Sequence, residues 1–302
     1  MEIDYALILC AGFGTRMGPI GEVLPKPLWP IFEKTLLELQ IKFAKELGAK
    51  KIFINIHHQA ELFKDIKEEN VELVFEPEIL GTGGAIHNIA SRDDVNYHGN
   101  FLYLAADQFY FFAERFLKEG LDLVCDHVVT LFGLEIPKGS PYSQLAIEDG
   151  LLKRIKGPRE EAGITFSGMA LVNLAKLKKE KGFSGFFESV CKYEAADIPV
   201  VIPEGEYIDW GNVANYFSGM FDLLEGRPKI FYEFCQSFGA FDSVKINLEE
   251  NSYGATSKNL INLTSREVDN TSGEKAIVLK EGIKSLAKSG IYFEKIIHEL
   301  PL

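Results

Sequence analysis

At 302 residues the chain can bury a full hydrophobic core, and one large domain with an appendage is its natural division. Lysine and arginine number 32 against 44 acidic residues, a formal net charge of −12, and no long basic run occurs. Nucleic acid and anionic membrane surfaces are thereby excluded as general partners, and an anionic substrate would need a few positioned cations.

No apolar run reaches spanning length, and the start Met-Glu-Ile-Asp-Tyr has neither a basic lead nor a cleavable apolar stretch, so a cytoplasmic protein is expected. Ala6 to Leu9 reads as a buried strand opening into a glycine loop. Leu36 to Leu47 has helical spacing and stops at Gly48; Lys51 to Ile56 reads as strand, Gln59 to Lys67 as helix and Val71 to Phe75 as strand. This order implies parallel crossover units. A strand from Phe101 to Ala105 ends at Asp107, at the edge where such sheets gather ligands. Further on, strands are expected at Leu123 to Leu131, Leu145 to Ile147, Leu152 to Ile155 and Thr165 to Val172. Leu177 to Tyr193 reads as a helix broken at Gly182 to Gly185, and Val200 to Ile202 and Glu206 to Ile208 as short strands before Asp209. Residues 250 to 275 are polar. Beyond them Ile277 and Ile283, and Ile291 and Ile297, share a six-residue interval that suits either a β-helix coil or a hairpin. The four cysteines, Cys10, Cys125, Cys191 and Cys235, are widely spaced and read as free thiols, with Cys10 a small buried filler.

Chemistry concentrates in Leu9-Cys-Ala-Gly-Phe-Gly-Thr-Arg-Met17 and Pro25-Lys26-Pro27. Gly12 and Gly14 allow close approach of backbone to phosphate. The dinucleotide fingerprint needs a third glycine at the place held by Met17, and the Gly-Lys-Ser/Thr phosphate loop is absent. Arg16 offers a fork of donors suited to phosphate oxygens, and Lys26 is held on a stiff segment between prolines.

Together with Leu80-Gly-Thr-Gly-Gly-Ala85, Ala106-Asp107 and Asp209-Trp-Gly211, these stretches resemble the signature of the sugar-phosphate nucleotidyltransferases, over about residues 1 to 222. Their members include mannose- and heptose-1-phosphate guanylyltransferases and N-acetylmuramate-1-phosphate uridylyltransferase. The resemblance implies an α/β, Rossmann-like, mostly parallel mixed sheet flanked by helices, of the GT-A-like kind. It implies a catalytic domain over 1–224 and leaves 225–302 unexplained; that stretch reads as a small β-rich C-terminal extension, a candidate surface for homo-oligomers. It implies transfer of a nucleoside monophosphate from GTP or UTP to a sugar 1-phosphate, with release of pyrophosphate, in the supply of nucleotide-sugars for envelope polysaccharide. Arg16 and Lys26 would be catalytic. Leu9, Ala11, Gly12, Gly14, Thr15, Glu76, Gly81 and Gly83 would hold the nucleotide, Asp107 and Asp209 would hold Mg2+, and Lys156 is a candidate for the sugar phosphate.

The chain departs from the family pattern at Ala106, where Gly is usual, at Ala105, where Asn is frequent, and at Asn212, where Thr is frequent. Lys156 stands one position early relative to the family's Glu-Lys-Pro. Adjacent His57 and His58 would point to opposite faces and suit a structural role. Tyr103, Phe109, Tyr110, Phe111 and Phe112 suit core packing, with one of them or Trp210 able to line a sugar pocket. Two other readings fit: a non-catalytic nucleotide-sugar-binding regulatory protein, and a transferase whose acceptor is a phosphoalcohol such as phosphocholine.

Overall fold

The computed structural model describes residues 2–242, 259–266, 268, 270, 274–286 and 288–300. The chain opens with β1 (Ile3–Leu9), then α1 (Leu36–Glu46), β2 (Ala49–Ile56) and β3 (Val71–Phe75). α2 (Gly81–Ala90) precedes β4 (Asn100–Ala105) and β5 (Gln108–Phe112), and α3 (Glu114–Val124) follows them. β6 (Val129–Ile136), β7 (Gln144–Glu148), β8 (Leu151–Lys156) and β9 (Gly163–Asn173) come next. After β10 (Val200–Val201) and β11 (Gly205–Asp209) stand α4 (Val213–Leu224) and α5 (Lys229–Ser237). Four short strands complete the described chain: β12 (Leu260–Asn262), β13 (Ala276–Lys280), β14 (Gly290–Phe293) and β15 (Ile296–Glu299).

These elements fall into two compact units, one of Met1–Gly12 with Ile41–Tyr207 and one of Phe13–Gln40 with Ile208–Leu302. The first holds a seven-stranded sheet in the order β10-β6-β9-β4-β1-β2-β3. All its pairs are parallel except those of β9, which runs antiparallel to both β4 and β6. Ala6, Leu7 and Ile8 of β1 are fully buried, so the strand is an unbroken apolar run, as expected of a central strand covered on both faces. The register places Leu9 beside both Asn55 and Ala105, and Ile56 beside Phe75, so the ends of β1, β2, β3 and β4 form one edge. That edge carries the start of the glycine loop and Asp107, as the sheet rule requires.

Several expected elements differ. Gln59 to Lys67 is not an α-helix: Gln59 is left-handed (φ 51°), only a 3₁₀ turn over Ala60–Phe63 forms, and Phe63 alone of it is buried. The strand read over Leu123 to Leu131 is the end of α3, a turn, and the start of β6. α3 was hidden by Gly120, whose missing side chain lets the helix sit on Phe132; a Cβ there would lie 2.8 Å from the ring. Leu177 to Tyr193 holds only a π-helical turn over Phe186–Cys191. Helices α2, α4 and α5 are likewise absent from the expected elements.

In the second unit Thr35 and Glu38 form a reciprocal cap at the start of α1. The Glu38 N–H donates to Thr35 Oγ1 (3.1 Å) and the Thr35 N–H to Glu38 Oε2 (2.8 Å). β12, β13 and β14 stack in parallel, with Ile261, Ile277 and Ile291 in one fully buried row. β15 then turns back antiparallel on β14 as a hairpin, and the stacked isoleucines are 16 and 14 residues apart, not at the six-residue interval. Residues 243–258, part of the polar stretch, lie outside the described residues. None of the four cysteines, all among the described residues, forms a disulfide, and Cys10, Cys191 and Cys235 are buried. No helix among the described residues is long and apolar enough to cross a membrane.

Candidate active site

The sheet edge of the first unit is tied together by one carboxylate. Glu76 follows β3 and is 1% exposed. Its Oε1 accepts from Asn55 Nδ2 at 2.9 Å, and its Oε2 from the Leu80 N–H at 3.2 Å. Asn55 Oδ1 in turn accepts the Cys10 N–H at 2.9 Å, so the start of the glycine loop, the end of β2 and the start of α2 share one network. The Glu76 charge also sits where the helix N-terminus favours an anion. His57 Nδ1 lies 2.8 Å from the Glu76 carbonyl oxygen, which gives that histidine the structural place expected of it. Leu9 and Ala11 lie at the same edge, Ala11 buried.

Asp107 stands in a two-residue turn between β4 and β5 and is buried. Burial, and then the negative charge of Asp107, hold the Tyr103 hydroxyl well above its usual range. The Ala105 methyl is accommodated from the neighbouring strand. Gly168 has φ +81° in an irregular part of β9, and a Cβ on it would lie 1.8 Å from Gln108 Oε1 and 3.1 Å from Ala105 Cβ. The Gln108 amide and the Ala105 methyl thus leave room only for glycine at 168. Phe109 and Tyr110 are core residues, as expected, and Tyr110 donates to the Pro203 carbonyl.

Gly81, Gly83 and Gly84 open α2, and their hydrogen side chains are filled by backbone from residues 182–185. A Cβ on Gly81 would lie 2.6 Å from the Ser184 carbonyl oxygen, on Gly83 2.3 Å from that of Gly185, and on Gly84 2.4 Å from that of Gly182. The Ser184 carbonyl accepts the Gly83 N–H at 2.9 Å, and the Ser184 N–H donates to Leu80 at 2.9 Å. Sequence reasoning missed this closure, although Gly182 and Gly185 signalled a close backbone approach. Beside Gly81 the ring of Phe183 is 76% exposed.

The second unit holds the rest of the glycine loop. Gly14 is left-handed (φ 65°, ψ 19°) and begins a 3₁₀ turn over Thr15–Met17. Met17 is fully buried, whereas Thr15 and Arg16 are exposed, so the turn is anchored on one side and presents the guanidinium on the other. A Cβ on Gly14 would lie 3.7 Å from the Lys26 N and 3.9 Å from the Lys26 Cβ. The structure therefore brings Lys26 against the loop, twelve positions away in sequence. Pro25 and Pro27 flank Lys26 in a second 3₁₀ turn, and the Trp29 N–H donates to the Lys26 carbonyl at 3.0 Å.

Asp209 ends β11, and its Oδ1 accepts the Gly211 N–H at 2.6 Å, which fixes the carboxylate's orientation. Asn212 caps α4 by accepting the Asn215 N–H at 2.9 Å, so asparagine serves there as threonine would. Trp210 is buried on α4, with Gly219 making room for its ring, and packs in the core. Tyr216 of α4 stands between two tryptophans, its ring centroid 4.8 Å from Trp29 and 5.8 Å from Trp210. Its hydroxyl donates to the Pro30 carbonyl. This buried trio joins the Lys26 segment to the Asp209 turn.

Lys156 closes β8 opposite Gln144 in a two-stranded ribbon and is partly exposed. Among the described residues no group of three or more His, Cys, Asp or Glu could hold a metal. Asp107 of the first unit and Asp209 of the second each offer carboxylate oxygens, the ligand type that suits a hard divalent cation completed by phosphate and water.

The family pattern of nucleotidyl transferases matches residues 5–124. The bifunctional protein GlmU of Methanococcus maripaludis is 29% identical over 195 residues, 64% of this chain and 44% of the relative. The D-glycero-alpha-D-manno-heptose 1-phosphate guanylyltransferase of Campylobacter jejuni is 38% identical over 86 residues, 27% of this chain and 39% of the relative. Choline-phosphate cytidylyltransferase of Streptococcus pneumoniae is 45% identical over 71 residues, 23% of this chain and 31% of that protein. The chain thus spans less than half the length of these curated relatives. Among solved structures, HddC of Yersinia pseudotuberculosis superposes with a TM-score of 0.61 at 22% identity, covering 73% of this chain and 99% of its own, a likeness of fold.

Proposed function

We propose that this chain, whose residues 5–124 match the nucleotidyl transferase family, joins a nucleoside triphosphate to a sugar 1-phosphate, giving a nucleotide-sugar and pyrophosphate. The observation that carries this reading is Lys26 packed against Gly14, in a turn that presents Arg16. A phosphate oxygen of the sugar attacks the α-phosphorus, the bond to the β-phosphate oxygen breaks, and pyrophosphate leaves with that electron pair. Little covalent chemistry falls to the protein, so positioning and charge stabilisation supply the rate. Gly12, Gly14 and Thr15 cradle the triphosphate through backbone N–H groups. Arg16 neutralises charge that builds on the departing pyrophosphate. Lys26 bridges the α-phosphate and the incoming phosphate, a contact strongest in the transition state. Leu9 and Ala11 lie along the base and ribose. Gly81, Gly83 and the exposed ring of Phe183 border the base, while Glu76 sets the edge on which it rests.

Asp107 and Asp209 would hold Mg2+, which supplies charge neutralisation and orientation of the phosphates. Guanine and uracil are the bases we favour. Residues 1–224 carry the transfer chemistry, and residues 225–302 are the extension. Lys156 remains a candidate for gripping the sugar phosphate. The test is pyrophosphate release over a panel of nucleoside triphosphates and hexose 1-phosphates with magnesium. Turnover with a GTP or UTP pair is expected, and folded protein that turns over no pair overturns the reading. The similarity of 71 residues to a choline-phosphate cytidylyltransferase supports a second acceptor class, so CTP with phosphocholine belongs in the same panel.

A further inference from the structure

No motif gives residues 225–302 a task, yet β15 packs against the short helical turn Gly18–Gly21 that follows Arg16. The contact centres on one pair of residues. Gly18 has φ 62° and ψ −157°, a conformation open to glycine alone, and its N–H donates back to the Thr15 carbonyl. A Cβ on Gly18 would lie 2.2 Å from His298 Nδ1 and 2.5 Å from His298 Cε1. The imidazole therefore occupies the space beside Gly18 that any side chain would need.

His298 is itself held in place. It pairs with the buried Ile291 across the β14–β15 hairpin, and a Cβ on Gly290 would lie 2.3 Å from its carbonyl oxygen. Lys288 Nζ and Glu299 Oε1 form an ion pair beside it at 2.5 Å. A Cβ on Gly21 would lie 2.7 Å from the Gly14 carbonyl oxygen and 2.8 Å from Met17 Cβ, so Gly21 packs closely on the turn whose end His298 backs at Gly18.

We propose that His298 is a positioning residue for the triphosphate: through it the C-terminal sheet fixes the turn that presents Arg16. The proposal rests on the nucleotidyltransferase reading and concerns a residue that touches the loop and not the substrate. The full-length protein tests it by steady-state kinetics and by amide exchange of residues 14–18 without ligand. His298→Ala is expected to raise the KM for the triphosphate about tenfold, to leave the KM for the sugar phosphate within about threefold, and to speed exchange at Met17 and Gly18. His298→Gln, which keeps a planar polar group against Gly18, is expected to restore most of the affinity. His298→Asn, which withdraws from the loop but retains polarity, replaces the alanine variant if that variant does not fold. An unchanged triphosphate KM with unchanged exchange overturns the proposal. So does a fall in kcat at constant KM that tracks lost folded protein, since that is a stability effect only. If the unaltered protein turns over no substrate pair, the transfer reading fails, and loop exchange in the variants still decides the contact.

Discussion

Two glycine-rich turns stand before helical segments in this molecule, and their surroundings are opposite. Around Gly12 a side chain would meet nothing within 4 Å, and around Gly14 nothing nearer than 3.7 Å. At Gly81, Gly83 and Gly84 a side chain would collide with backbone at 2.3 to 2.6 Å. The first turn leaves the space beside Gly12 and Gly14 open. The second is bare because residues 182–185 already fill it. Glycine is the same letter in both, and only the surroundings separate a ligand glycine from a packing one.

The comparison can be broken most severely at Lys26. Lys26→Ala should lower kcat by about 10²–10³, with the KM for the triphosphate changed far less, because its contact is strongest in the transition state. Equal kcat in the variant would remove Lys26 from the chemistry. The glycines come next, as a matched pair. Gly83→Ala should destabilise the fold by about 1–3 kcal/mol in denaturant titration, through forced overpacking against residues 185 and 189. Gly12→Ala should change stability by less than about 0.5 kcal/mol and still weaken triphosphate binding in calorimetry. Matching stability losses in the two variants would erase the distinction drawn between the turns.

Glu76→Ala sharpens the same contrast from the side of the closed turn. It leaves the buried Asn55 amide and the Leu80 N–H without their acceptor, and should cost about 1–3 kcal/mol. Smallest is a pH effect at His87, buried on α2. Burial lowers its pKa, with Glu180 and the Ser189 backbone opposing in part. A histidine held neutral when folded contributes stability that is present above its unfolded pKa, near 6.5, and is lost as pH falls toward the depressed folded value. His87→Leu should therefore flatten the decline in melting temperature between about pH 7 and pH 5. An unaltered slope would show that another group sets it.

The central sheet was legible because its strands are long apolar runs bounded by glycine or charge, and because parallel order follows from their alternation with helices. The glycine loop and Lys26 were legible because their spacing is short and their residue types are unusual together. α2 was not, since Gly-Thr-Gly-Gly is a poor helix start on its own propensity and becomes one only when Ser184 accepts its N–H groups. The Gln59 to Lys67 helix was overread from a pattern whose apolar face has little to pack on beyond Phe63. Glu76 was legible as a position but not as a hub, because its partners Asn55 and Leu80 meet it only once the sheet has formed. His298 carried no signal at all: its importance lies in a glycine 280 positions earlier.

The trio around Tyr216 has an optical consequence. The chain contains two tryptophans, Trp29 and Trp210, and they are the two that flank this ring. Trp29 follows Lys26 by three residues, and Trp210 adjoins Asp209. All of the protein's indole emission therefore originates beside the segments that carry the proposed phosphate and metal contacts. Excitation near 295 nm reads out that neighbourhood against a dark background, so ligand arrival can be followed without a label.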